Sequence, residues 1–225
     1  MHIMEGFLPV RDAVLWSAIT FPFVALGLNS IKKQVKNKPE LKMLLGVSAA
    51  FTFVMSALKI PSVTGSSSHP TGIGLGTILF GPLTMVPIGA VVLLFQALLL
   101  AHGGLTTLGA NIFSMAIVGP FAAAVIFYLT KKIKFPLSVS IFFASSIANI
   151  LTYITTSVQL ALAFPDAAGG FTTSFIKFAT VFAFTQIPLA IIEGLLTVMI
   201  FNMLVKYNLN NNLNYNLSNN LSDNS

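Results

Sequence analysis

The residues able to do chemistry in this chain are few, and they are nitrogen donors. The sequence holds three histidines, His2, His69 and His102, and no cysteine. Thiolate metal sites, disulfides and cysteine nucleophiles are therefore excluded. His2 follows a start methionine, so an α-amine and an imidazole are neighbours. A free α-amine has a pKa near 8 and can give up its proton to a metal. Imidazole is a good ligand for divalent Co, Ni, Cu or Zn. If a strongly binding metal deprotonates the backbone nitrogen between them, two chelate rings close. His69 then completes four nitrogens. A planar all-nitrogen set favours Ni(II) or Cu(II). The competing reading of His2 is an ordinary polar residue beside a start methionine.

His69 stands in Gly65-Ser66-Ser67-Ser68-His69-Pro70-Thr71-Gly72. The hydroxyls of Ser66, Ser67 and Ser68 can orient an imidazole or satisfy backbone groups. The alternative is a loop histidine in a turn. His102 can be a third ligand, a supporting donor or a helix-end residue, and the supporting or structural role is favoured. Glu193 lies inside the last apolar stretch, where an ionisable residue is costly and marks a functional hypothesis by default. It is expected to pair internally or to take part in conformational coupling. Asn111 and Asn149 also fall within spans, and Gln96 and Gln159 nearer their ends. Interhelical hydrogen bonding is their favoured role. The glycine runs lack a following Lys-Ser/Thr and do not form a phosphate loop. With no HExxH and no supported Ser/His/Asp set, the chain is not expected to be an enzyme or to hydrolyse ATP.

The elements that must position these groups are membrane helices. Apolar residues make up 55 % of the 225 and charged residues 8 %, against about 25 % charged in soluble domains. The net charge of +6 does not point to nucleic acid, because the lysines cluster between long apolar stretches. Candidate spans are 12–31, 43–60, 106–130, 137–162 and 174–205. The stretch 73–100 carries Gly81-Pro82 and Pro87 and reads either as one tilted span or as two pieces, to about Leu79 and from about Leu83. The lysines at 32, 33, 36, 38 and 42, at 131, 132 and 134, and at 206 mark the cytoplasmic side. Parity then requires two pieces. The expected fold is an all-α integral membrane bundle of about seven helices, N-terminus outside and C-terminus cytoplasmic, with the first half of 73–100 tilted or partly re-entrant. All three histidines fall on the outer side. The stretch 13–28 reads as a retained helix rather than a signal peptide. Residues 1–206 form the membrane domain. The Asn-rich tail 207–225 is of low complexity and expected to be disordered or loosely surface-associated.

Four stretches resemble the CbiM/NikM family, the substrate-capture membrane proteins of energy-coupling-factor cobalt and nickel transporters. They are Met1-His2-Ile3-Met4-Glu5-Gly6-Phe7-Leu8-Pro9; Gly65 to Gly76, continuing to Phe80-Gly81-Pro82; Gln96 to Asn111 through Ala101-His102-Gly103-Gly104; and Ile187 to Gly194. The likeness is greatest to the cobalt branch. It implies a metal site built from the Met1 amine, the backbone nitrogen and imidazole of His2, and His69. His102 and the three serines are supporting residues by position. It further implies uptake of Co(2+), with Ni(2+) as the alternative, chiefly for cobalamin synthesis, and no tightly bound cofactor. The implied partners are the small membrane subunit CbiN, the coupling subunit CbiQ, the cytoplasmic ATPase CbiO and the lipid of a prokaryotic cell membrane.

Overall fold

A computed structural model describes residues 2–62 and 65–206. The expected tail 207–225 and Met1 lie outside the described residues. Among the described residues there are seven helices: α1 Val10–Asn37, α2 Leu41–Ala57, α3 Ile73–Phe80, α4 Pro82–Leu100, α5 Leu108–Lys132, α6 Leu137–Ala163 and α7 Gly170–Lys206. Five of them, α1 and α4 to α7, are long and apolar enough to cross a membrane, and α2 is a shorter apolar helix. At 1.5 Å per residue a helix needs about 20 residues to cross a 30 Å hydrocarbon layer. Large apolar side chains cover the outside, among them Phe21, Phe184 and Leu99, while Ser48, Thr52, Asn149, Gln186 and Glu193 are buried. Polar groups inside and apolar groups outside suit a lipid environment, and the chain is a multi-pass membrane protein.

The divided stretch 73–100 is two helices, α3 and α4. Gly81 separates them at φ +84°, a conformation open to glycine, and its N–H closes α3 on the Thr77 carbonyl at 2.8 Å. Pro82 opens α4, where a missing N–H costs nothing. With eight residues, α3 is only about 12 Å long and cannot cross by itself. It is preceded by the buried, non-helical residues Pro70, Thr71 and Gly72. Together they run from the histidine end to the opposite end, where Gln34 near the close of α1 donates to the Phe80 carbonyl at 3.0 Å. All of α3 is buried, so its broken backbone faces protein rather than lipid.

The expected all-α description omits a small antiparallel sheet. Strands β1 His2–Ile3, β2 Ile60–Pro61 and β3 Ser66–Ser68 pair in the order β1-β3-β2, with His2 opposite Ser67 and Ile60 opposite Ser68. It ties the chain start to the α2–α3 connection at one end of the bundle. Helix α5 changes register in its middle: Ile112–Val118 is π-helical, with the Gly119 N–H reaching Ser114 O. Pro120 follows and offers no N–H to an α-helical ladder. Such π segments concentrate at functional sites.

Candidate metal centre

The sheet and two loops bring the three histidines together. One donor nitrogen from each of His2, His69 and His102 lies within 4.8 Å of the others. Ring centroids are 4.4 Å apart for His2 and His69, 4.1 Å for His2 and His102, and 4.9 Å for His69 and His102. All three side chains are buried.

The hydrogen bonds say which nitrogen faces which. His69 Nδ1 donates to the Pro70 carbonyl at 2.8 Å. That fixes the tautomer and leaves the Nε2 lone pair free, an arrangement common in metal-binding histidines. Nε2 faces His2 Nδ1 directly. A cation between the two nitrogens would accept both lone pairs. His102 Nε2 pairs with Ser67 Oγ at 2.9 Å, and its Nδ1 has no hydrogen-bond partner among the described residues. The Gln96 side chain acts on the His2 ring.

Electrostatics keep the set ready for a cation. Burial pushes the His2 and His69 imidazoles well below the usual histidine range, and His102 down to about 3. For His2 the neighbouring imidazoles act in the same direction. Neutral imidazole is the ligand form.

The N-terminal strand is held on several sides. Asn111 Oδ1 accepts from the Ile3 N–H at 2.7 Å, and Asn111 Nδ2 donates to the Ile3 carbonyl at 3.0 Å. Thr107 Oγ1 donates to the same carbonyl at 2.7 Å, and the Met4 N–H donates to the Gly65 carbonyl at 2.9 Å. Glu5 accepts from the Thr106 N–H, and this loop holds its carboxyl below the ordinary range. Gly103 has φ +79°, and a Cβ there would stand 3.0 Å from His2 Cδ2 and 3.1 Å from Asn111 Nδ2. Glycine is what lets the 102–107 loop lie against the strand.

The described residues singled out as site residues in the sequence now have a place, and Met1 lies outside them. His2, His69 and His102 converge. His102 lies close enough to the other two to offer a donor nitrogen to the same cluster. The His69 ring is oriented by the Pro70 carbonyl. Ser67 holds His102, Ser68 Oγ accepts from Thr185 Oγ1 at 2.8 Å, and Ser66 pairs with Ile3 in the sheet. Asn111 clamps Ile3. Glu193 is not in the histidine cluster: it binds Thr71, Gly72 and Asn149. Sequence reasoning missed Gln186, which donates to the His69 carbonyl at 2.9 Å. Its signal was a glutamine two turns before Glu193 on the same helical face.

Residues 2–210 match the CbiM family, described as a cobalt uptake substrate-specific transmembrane region. The chain belongs to the CbiM family. It is 69 % identical over 208 residues to "Cobalt transport protein CbiM 2" of Pelobacter propionicus, covering 92 % of each chain. It is 62 % identical over 208 residues to "Cobalt transport protein CbiM" of a Nostoc species, covering 92 % of this chain and 80 % of that one. Among solved structures, one described as a transition metal transporter superposes with a TM-score of 0.81 at 23 % identity, over 94 % of this chain and 95 % of that one. A truncated form gives 0.79 over 92 % and 99 %. These structures support the fold.

Proposed function

We propose that the chain captures Co(II) for uptake, as the substrate-binding membrane subunit of an ATP-driven energy-coupling-factor transporter. The observation that carries this reading is the buried pair His2 Nδ1 and His69 Nε2, with the outer nitrogen of His69 fixed by a backbone carbonyl. Family membership and the cobalt transport names of its relatives supply the metal. The Met1 amine and the His2 backbone nitrogen complete the donor set, and His102 stands ready beside it. Met1, His2 and His69 thus hold the ion, which is substrate rather than cofactor.

The chain carries no phosphate loop, so energy comes from partners: CbiO for ATP hydrolysis, CbiQ for coupling, and CbiN as the small membrane subunit. The histidine end faces outward and the lysine-rich end inward, in accord with the charge asymmetry. The cobalt supplies cobalamin synthesis. Nickel is the second reading, favoured by the all-nitrogen donor set.

Competitive uptake into cells expressing the complete transporter tests the proposal. Cobalt uptake is expected to vanish in His2→Ala and His69→Ala. Normal uptake in both variants would overturn the site, and a strong preference for nickel would overturn the metal. An uncleaved extension before Met1 is expected to abolish uptake, and retained uptake would remove the amine from the ligand set.

A further inference from the structure

Below the histidines, and apart from them, lies a buried carboxylate that no cation pairs among the described residues. Glu193, in the middle of α7, is fully buried. Both its oxygens are doubly engaged. Oε1 accepts from Thr71 Oγ1 at 2.6 Å and from the Gly72 N–H at 2.8 Å. Oε2 accepts from the Thr71 N–H at 2.6 Å and from Asn149 Nδ2 at 2.5 Å. The two backbone N–H groups belong to Thr71 and Gly72, the residues just before α3, where a helix start leaves donors without partners. A carboxylate accepting there meets both the orphan donors and the positive end of the helix.

Two turns earlier on the same face of α7, Gln186 donates from one nitrogen to Asn149 Oδ1 at 2.7 Å and to the His69 carbonyl at 2.9 Å. The connection is continuous: Glu193 to Asn149 to Gln186 to the His69 backbone, and Glu193 again to Thr71, two residues beyond His69. The loop is grasped from both sides of Pro70, whose carbonyl sets the His69 tautomer. α6 is locked to α7 at the same level. Ser146 Oγ donates to the Ala190 carbonyl at 2.9 Å, and Gly194 has no room for a Cβ, which would stand 2.3 Å from Ser146 Oγ. Pro188 lies between Gln186 and Glu193 and interrupts the α7 ladder there.

We propose that Glu193 and Gln186 are positioning residues for the metal site, fixing the His69 segment to α7 so that a displacement of α7 moves His69 away from His2. A group that only stabilised the bundle would not bind the peptide segment that carries an imidazole of the proposed site, at the His69 carbonyl and again at the Thr71 and Gly72 N–H groups. This rests on the reading of His69 as a ligand given above.

The test uses the purified full-length protein in detergent, titrated with Co(II) and followed by visible absorption, with unfolding of the metal-free form measured in parallel. Glu193→Gln puts an amide NH2 where two donors point, and Gln186→Leu removes only the bonds to Asn149 and His69. Each is expected to weaken Co(II) binding by about 10- to 100-fold and to alter the visible bands. Ser146→Ala, which loosens α6 from α7 without touching residues 69–72, is expected to lower stability and keep the parent affinity. Parent-like affinity and spectrum in Glu193→Gln would overturn the inference. Should Glu193→Gln not fold, the same result in Gln186→Leu overturns it. His69→Ala separates the two levels. Parent-like binding there would overturn the ligand reading and this inference together. Lost binding there with parent-like Glu193→Gln and Gln186→Leu would overturn the inference alone.

Discussion

His2, His69 and His102 sit where water cannot solvate an imidazolium, and this links metal capture to acid sensitivity. Burial lowers the folded-state pKa of each group below the ordinary value near 6.5. Below that pH the unfolded chain binds protons that the folded chain refuses, so stability rises with pH through this window. The metal-free protein is expected to lose thermal stability in detergent as pH falls from about 7 to 5, and the triple variant His2→Gln, His69→Gln, His102→Gln is expected to lose less. Thermal midpoints across that range check it. Asn111 gives a second prediction at this scale. Asn111→Ala orphans the Ile3 N–H and removes one of two donors to its carbonyl. Co(II) affinity is expected to fall about tenfold or more, read by titration, since the strand that carries His2 loosens. In the sequence, Asn111 was visible as a polar residue in an apolar span. Its partner was not, because a bond across 108 residues has no local signature.

Among the elements, the helices were legible and the strands were not. α1, α4, α5, α6 and α7 announce themselves by hydropathy over many residues, and the lysine clusters fix their alternation. Strands of two and three residues are too short for any alternation to show. Charge parity demanded a crossing at 73–80, but helical length alone would have denied it. In the structure α3 starts deep, after the non-helical residues Pro70, Thr71 and Gly72, and Glu193 accepts the N–H groups of the last two. Gly72 is the pivot of that device. It has φ +67°, and a Cβ there would stand 2.9 Å from Thr52 Cα in α2. Gly72→Ala is therefore expected to cost about 1–2 kcal/mol in backbone strain alone, with more from the clash, and to lower the thermal midpoint of the metal-free protein.

At the scale of the whole molecule, the proposed orientation can be read directly because the chain has no cysteine. Single cysteines at Asn37 and Ala168, tested with a membrane-impermeant thiol reagent on intact cells, are expected to differ. The second is labelled and the first is not until the membrane is opened. The reverse pattern would invert the topology. The sheet, finally, sets an order of events during synthesis. Its first strand is made well before the residues that hold it, since Asn111 follows Ile3 by 108 residues and Glu193 follows Thr71 by 122. At about 5–20 residues per second each interval lasts about 5–25 s. A nascent or stalled chain holds His2 without the clamp that aims it and His69 without the helix that anchors it. On the proposed site, metal capture would begin only once translation has passed α7, and unfinished chains would not hold the ion.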